Sequence, residues 1–337
     1  MVLAVYAERK VSAFMQDRLG PMEVGYYGIL QTVADLIKLL QKEDIVPAKA
    51  QPLLFKLAPF VVFGAVFTGF AVLPLGPAWQ GAAVSSGVFL MLAVVSLDVI
   101  GILMAGWSSN NKYSLLGTMR SAAQLISYEV PLTLSVLCVI LVCGTLDLQE
   151  ITLQQSAHQQ QPSFLFGIPA LGSTANMGGF LTWNVVRMPL LLVAWVVFFI
   201  ASLAESNRAP FDLPEAESEL VAGYQTEYSG FRWGVLMMGE YAMMLLVSFL
   251  GAVLFWGGWN TPLPNVGTFA LADWTTGPVW GIVWLVLKAF FFVLLQMWVR
   301  WTFPRLRVDQ LMALSWKYLT PLALILIVLC GTWRLLW

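Results

Sequence analysis

Six carboxylates and one arginine stand between two long apolar runs, in the stretch Glu205–Gly230, ESNRAPFDLPEAESELVAGYQTEYSG. Only 11% of the chain is charged, so this much acid in one connection needs a reason beyond solubility. Pro210 and Pro214 stiffen its first half. Glu215, Glu217 and Glu219 recur at every second position, where exposed like charges would repel one another. Carboxylates crowded beside a bilayer raise each other's pKa, which suits them to hold and release protons near neutral pH.

A second set of ionisable residues lies inside the apolar runs: Asp98, Glu129, Glu240 and Lys288. A charge at such a place is costly and marks function, unless it only forms a buried pair, for instance Lys288 with Glu129 or Glu240. At 1.5 Å per residue Glu240 lies roughly 12 Å beyond Arg232, and Asp98 is at a similar depth before Gly106. Glu129 follows Arg120 by a similar distance, and Pro131 should kink that helix and free a backbone carbonyl. These acids all sit in the half of the spans nearest the acidic loop. The other half holds almost nothing ionisable, with Arg187 and Arg334 near its ends. Such a distribution implies a proton path that enters from one face and turns sideways into a neighbouring subunit.

The elements that must position these groups are membrane helices. Hydrophobic residues make up 59% of the chain, and several uncharged runs reach the roughly 20 residues that cross a bilayer. The reading is an all-α polytopic membrane helix bundle, a single integral membrane domain over residues 1–337. Spans are expected at about 53–73, 84–106, 118–145, 183–204, 232–256, 278–299 and 317–336, which makes seven complete helices. Two cytoplasmic loops stand out, an amphipathic one at 8–51 and the acidic one at 205–231. In GILQTVADLIKLLQKED apolar residues recur at helical spacing, so this piece should lie on the membrane surface.

Orientation follows from the cations. Arg9, Lys10, Arg18, Lys38, Lys42, Lys49 and Lys56 flank the first loop, and Lys112 and Arg120 the third connection. Arg208 and Arg232 bracket the acidic loop, while Arg300, Arg305, Arg307 and Lys317 mark the last. The connections near 74–83, 146–182 and 257–277 carry no Lys or Arg. The positive-inside rule therefore puts the first, third, acidic and last loops in the cytoplasm.

Other function classes are excluded by residue type. Cys138, Cys143 and Cys330 lie in apolar runs, and the only histidine, His158, is in the glutamine-rich stretch QQSAHQQQ. A haem usually needs paired axial ligands and an iron–sulfur cluster four, so the chain carries no identifiable redox centre. No nucleotide-binding fingerprint appears, and a net charge of −1 gives no footprint for nucleic acid.

The run PFDLPEAESELVAGYQTEYSG resembles the signature of the H-subunit family of the bacterial proton-pumping NADH:quinone oxidoreductase, respiratory complex I, equivalent to mitochondrial NADH dehydrogenase subunit 1. ERKVSAFMQDRLGP, LQTVADLIKLLQKEDIVP, AGWSSNNKYSLLGTMRSAAQLISYEVP, MGEY and VRWTFPRLRVDQLMALSWK also stand where that family has its motifs. The family has eight membrane helices, the first of which is largely absent here. The resemblance implies that Arg9, Asp35, Arg208, Arg300 and Arg305 line or stabilise a quinone chamber. It implies that Glu129, Glu205, Glu215, Glu217, Glu219, Glu227 and Glu240 form an acidic proton route, with Lys288 at a family position in the seventh helix. Glu23 stands where the family commonly has a cation, and Asp98 matches no motif position.

The same resemblance implies ubiquinone or menaquinone as substrate and no covalently bound cofactor, with FMN and iron–sulfur clusters only on partner subunits. Those partners would be the peripheral-arm subunits of the quinone site and the small and antiporter-like membrane subunits, in the bacterial inner membrane. Two alternatives stay open. One is the equivalent subunit of a membrane-bound hydrogenase or ferredoxin-linked complex, which neighbouring genes would separate. The other is a stand-alone proton-coupled transporter, which predicts inverted repeats that this chain does not display.

Overall fold

A computed structural model describes residues 1–77, 79–156, 164, 166, 178–213, 220–265 and 271–336. Glu215, Glu217, Glu219 and His158 lie outside the described residues.

The chain opens with α1 (Val2–Met15) and the surface helix α2 (Gln31–Gln41), which falls where the amphipathic pattern placed it. Among the described residues six helices are long and apolar enough to cross a membrane. They are α3 (Pro52–Val72), the bent pair α4 (Gly87–Val95) and α5 (Leu97–Ser108), α6 (Lys112–Cys143), α10 (Gly230–Phe255), α12 (Pro278–Thr302) and the run 308–336. That last run consists of α13 (Val308–Ala313), a π turn at Leu314–Leu319 and α14 (Thr320–Leu336). Helix α9 (Pro189–Glu205) is shorter, at 17 residues, and completes the expected seven.

The seven spans alternate in direction, which sorts the connections onto two ends. Residues 16–51, 109–111, 206–213, 220–229 and 303–307 share one end, here the charged end; the far end holds short α7 (Leu148–Leu153), α8 (Asn184–Arg187) and α11 (Leu271–Trp274). Helix α10 is the innermost, with 78% of its most apolar stretch buried against 22% for the run 308–336. It packs on α3, α9 and α12, while α6 packs on α5, α9 and α14.

Two expected helices differ in detail. The run expected at 183–204 is divided, because Pro189 lacks the N–H that would continue α8 and instead starts α9. The second span bends at Ser96, whose hydroxyl donates to the carbonyls of Leu92 and Ala93 and competes with the helical ladder. Pro131 behaves as its chemistry requires. Helix α6 continues through it, and the carbonyl it frees, that of Ser127, accepts from the Ser315 hydroxyl at 2.5 Å. Pro59 in α3 does the same for Phe55, whose carbonyl accepts from the Tyr228 hydroxyl at 3.1 Å while the two rings stack.

The acidic connection rests directly on α6. A Cβ at Gly117 would lie 2.7 Å from the Gly223 Cα, so only glycine lets the backbone at Gly223–Gln225 come this close. Gly117→Ala should therefore destabilise the protein by about 1–3 kcal/mol, the usual cost of overpacking. Thermal denaturation of the solubilised protein checks this, and a midpoint equal to the parent's would contradict the contact.

Candidate functional site

The site begins at Glu8, an acid buried in α1. Its Oε1 accepts from Arg208 Nη1 at 2.8 Å and also from the Arg300 guanidinium, so one carboxylate joins α1 to the acidic connection and to the end of α12. Arg208 is aimed by a tight turn after α9, in which its N–H bonds the Leu203 carbonyl at 3.1 Å and its own carbonyl accepts from Phe211 at 2.8 Å. Its guanidinium lies 4.3 Å from the Tyr241 ring centre. Burial works against the charge on Arg208, but Glu8, Tyr241 and Glu240 outweigh it and raise its pKa above the ordinary arginine value. The Trp301 indole donates to Ser12 Oγ at 2.8 Å and fixes the same junction.

A second cluster surrounds Asp35 on α2. Arg9 pairs with its carboxylate, Gln31 donates to it at 3.1 Å, and Lys38 stands 3.8 Å away. Burial pushes the Asp35 carboxyl up, yet the combined pull of Arg9, Gln31 and Lys38 holds it below its usual value. Arg305 bonds Asp212 at 3.0 Å, and the Leu306 N–H bonds the Pro210 carbonyl, so the last connection closes on the acidic one. Here burial prevails over Arg305, Arg300 and Arg208, and the Asp212 carboxyl is raised.

Two clefts open between these clusters. One, of about 400 Å³, lies between α1, α2 and α10 and is lined by Val5, Leu36, Leu39 and Met237, with Arg9, Asp35 and Tyr241 at its polar edge. The other, of about 590 Å³, is bounded by Glu8, Arg18, Gln31, Arg300 and Trp301. Both share Arg9 and Tyr241, so the apolar cleft meets the charged one at those two residues. Of the five expected chamber residues, Arg9, Asp35 and Arg300 line these spaces. Arg208 stands behind Glu8, and Arg305 is apart, on Asp212.

The acids of the expected route divide into groups. Glu240 accepts from the Tyr224 hydroxyl at 2.5 Å and from Gln225 Nε2 at 2.9 Å, and it acts electrostatically on Arg208. Glu227 accepts from Asn111 Nδ2 at 2.6 Å. At the end of α9, buried Glu205 feels the charges of Glu129 and Asp98, so three carboxyls from three helices converge. Gln124 holds that helix end by donating to the Ala204 carbonyl at 2.8 Å.

Lys288 does not join them. The pairing with Glu129 or Glu240 weighed on sequence grounds gives way to two backbone carbonyls at the far end, Gly258 at 2.9 Å and Asn260 at 2.6 Å. The physical reason is direction: a long helical side chain points toward the helix N-terminus, and that of α12 is at the far end.

Sequence reasoning passed over Glu8, Tyr224 and Gln225. Glu8 is adjacent to Arg9 and begins the charged part of α1, a signal that was present. Tyr224 and Gln225 are neutral, and nothing in their type points to Glu240 sixteen and fifteen residues away.

The profile of the family described as NADH dehydrogenase matches residues 1–331. An NADH-quinone oxidoreductase H subunit of Cytophaga hutchinsonii, the one numbered 2, is 59% identical over 98% of this chain and 94% of its own length. The NADH-quinone oxidoreductase H subunits of Chlorobium luteolum and Chlorobaculum parvum are 53% and 51% identical, each over 99% of this chain and covering 85% and 88% of their own lengths. With a profile match along nearly its whole length and relatives at this identity, the chain belongs to the NADH dehydrogenase family.

Proposed function

We propose that this chain is the membrane subunit of a bacterial proton-translocating NADH:quinone oxidoreductase that forms part of the quinone chamber and couples quinone reduction to proton movement. The observation that carries this reading is Glu8, buried between Arg208 and Arg300, at the wall of a charged cleft that opens into an apolar one. An isoprenoid tail suits the apolar cleft, and a quinone headgroup with two carbonyl oxygens suits Arg9 and Arg300. Electrons arrive from partner subunits of the peripheral arm. Reduction of the quinone by two electrons places negative charge in the chamber and calls for two protons to complete the quinol.

That negative charge competes with Glu8 for the guanidiniums of Arg300 and, one step further, Arg208. Arg208 is also within electrostatic reach of Glu240, so a change of partner at the chamber alters the proton affinity of an acid inside the bundle. Glu240, Glu227, Glu205 and Glu129, with Glu215, Glu217 and Glu219 of the same acidic stretch of sequence, supply the acidic route, and the electrostatic reach of Asp98 to Glu205 supports adding it. Because the acids gather at the charged end, protons pass sideways to small and antiporter-like membrane subunits. The Lys and Arg distribution supports a cytoplasmic position for that end, in the inner membrane.

Arg300→Ala should lower quinone reduction by about tenfold or more, the equivalent of a lost charged hydrogen bond. Reduction of a hydrophilic acceptor, which draws electrons upstream, should stay near the parent rate. Assayed in intact membranes, an equal loss of both activities would remove Arg300 from the chamber. Glu240→Gln keeps size and both hydrogen-bond partners but cannot release a proton. In sealed vesicles it should assemble normally, yet lose most NADH-driven acidification with quinone reduction falling alongside. Full coupled turnover in this variant would take Glu240 out of the route.

A further inference from the structure

The far end of the bundle contains a buried polar network that the acidic route does not use. Gln155 is saturated: its Nε2 donates to the Ile151 and Val253 carbonyls at 3.1 and 3.0 Å, and its Oε1 accepts from the Asn184 and Gly257 N–H groups at 3.1 and 3.0 Å. Asn184 Nδ2 donates to the Leu254 carbonyl and Asn260 Nδ2 to the Thr152 carbonyl, both at 2.7 Å. These bonds form a polar seam buried among apolar helices at the far end. Arg187 acts on Cys143 at the edge of this seam, and Lys288 is set into it. Its Nζ meets the Gly258 and Asn260 carbonyls and lies 4.3 Å from the Trp183 ring centre, with no carboxylate partner among the described residues. The cage is tight, since a Cβ on Gly257 would come within 2.3 Å of the Trp183 indole.

We propose that Lys288 is an electrostatic plug: an ammonium, stabilised by two carbonyls and an indole face, that keeps protons and other cations from crossing the far half of this subunit. Its position fits that role. Lys288 stands ten residues after Pro278, roughly 15 Å from the far end of α12, between that end and the acids. A proton entering from the far side meets saturated amides and then a like charge in a medium of low dielectric, where repulsion is strong. Pores that exclude cations use the same physics. A proton relay would place the lysine within reach of an acid; a plug needs it held away from one. The inference rests on the reading of the chain as part of a proton-translocating complex, since only there does a leak through this end matter.

The test uses the intact complex purified and reconstituted into sealed vesicles, with Lys288→Met and Lys288→Arg beside the parent. An imposed pH gradient is followed by a pH-sensitive dye without NADH, and quinone reduction is measured separately. Lys288→Met should dissipate the gradient more than about tenfold faster, while still reducing quinone, because losing a unit charge at close range removes the repulsion that an entering cation meets. Lys288→Arg should stay near the parent. A Met variant as tight as the parent overturns the proposal, and one that is tight but no longer reduces quinone overturns it in favour of a relay. If Lys288→Met does not assemble, Lys288→Gln carries the test. That variant can still donate to a carbonyl but bears no charge, so a faster leak supports the plug and an unchanged one overturns it. Parent vesicles that build no gradient on NADH would refute the proposed function instead, independently of the leak measurement.

Discussion

One carboxylate held between two guanidiniums organises the charged end of this protein. Arg208 and Arg300 come from segments 200 and 292 residues distant from Glu8, and neither has another acid at hydrogen-bonding distance among the described residues. Removing the shared acid would leave two cations facing each other at a buried junction, a far worse state than a missing surface pair. The arrangement is also asymmetric in a useful way. Arg208 is almost wholly buried, whereas Arg300 is 32% exposed and reaches the cleft. An anion in that cleft can therefore draw on Arg300 while Arg208 stays where it is, still facing Glu240.

The neighbouring contacts extend this junction. Arg232 pairs with Asp44 at 2.7 Å and the Ser229 hydroxyl accepts from the Ile45 N–H, so the first connection is tied to the start of α10. Through Arg305 and Asp212 the last connection is tied to the acidic one. Helix α10, packed on three sides, contributes both Glu240 and Tyr241 and so carries one residue for the acids and one for the clefts. The clefts and the acids thus meet within one turn of this helix.

Much of this was legible in the chain. Runs of about twenty apolar residues announce membrane helices because lipid leaves the backbone no other partner. Pro131 predicts a free carbonyl at Ser127, and the structure supplies Ser315 for it. Pairing is where legibility ended. Lys288 and Glu240 each invite a partner of opposite sign at similar depth, yet sequence cannot say that one side chain points to the far end and the other to a tyrosine in the loop. Glu8 was hidden for the converse reason: its type was plain, but its two partners lie hundreds of residues away. Asp98 had depth alone to recommend it until α5 was seen to bring it toward Glu205 and Glu129.

The two prolines have a further consequence, which concerns the bilayer itself. Pro59 and Pro131 each leave a carbonyl that its own helix cannot satisfy, and in hydrocarbon such a group costs several kcal/mol. The Ser127 carbonyl lies roughly 22 Å along α6 from Lys112, well away from bulk water. It is quenched from the neighbouring π turn, while Phe55 is quenched by Tyr228, at the end of the acidic connection. A chain whose helices had inserted but whose last span and acidic loop had not yet docked would carry both acceptors open, the Ser127 one inside the bilayer and the Phe55 one near its charged-end surface. The membrane thus acts as a proofreader of assembly, disfavouring every arrangement in which those segments are not seated.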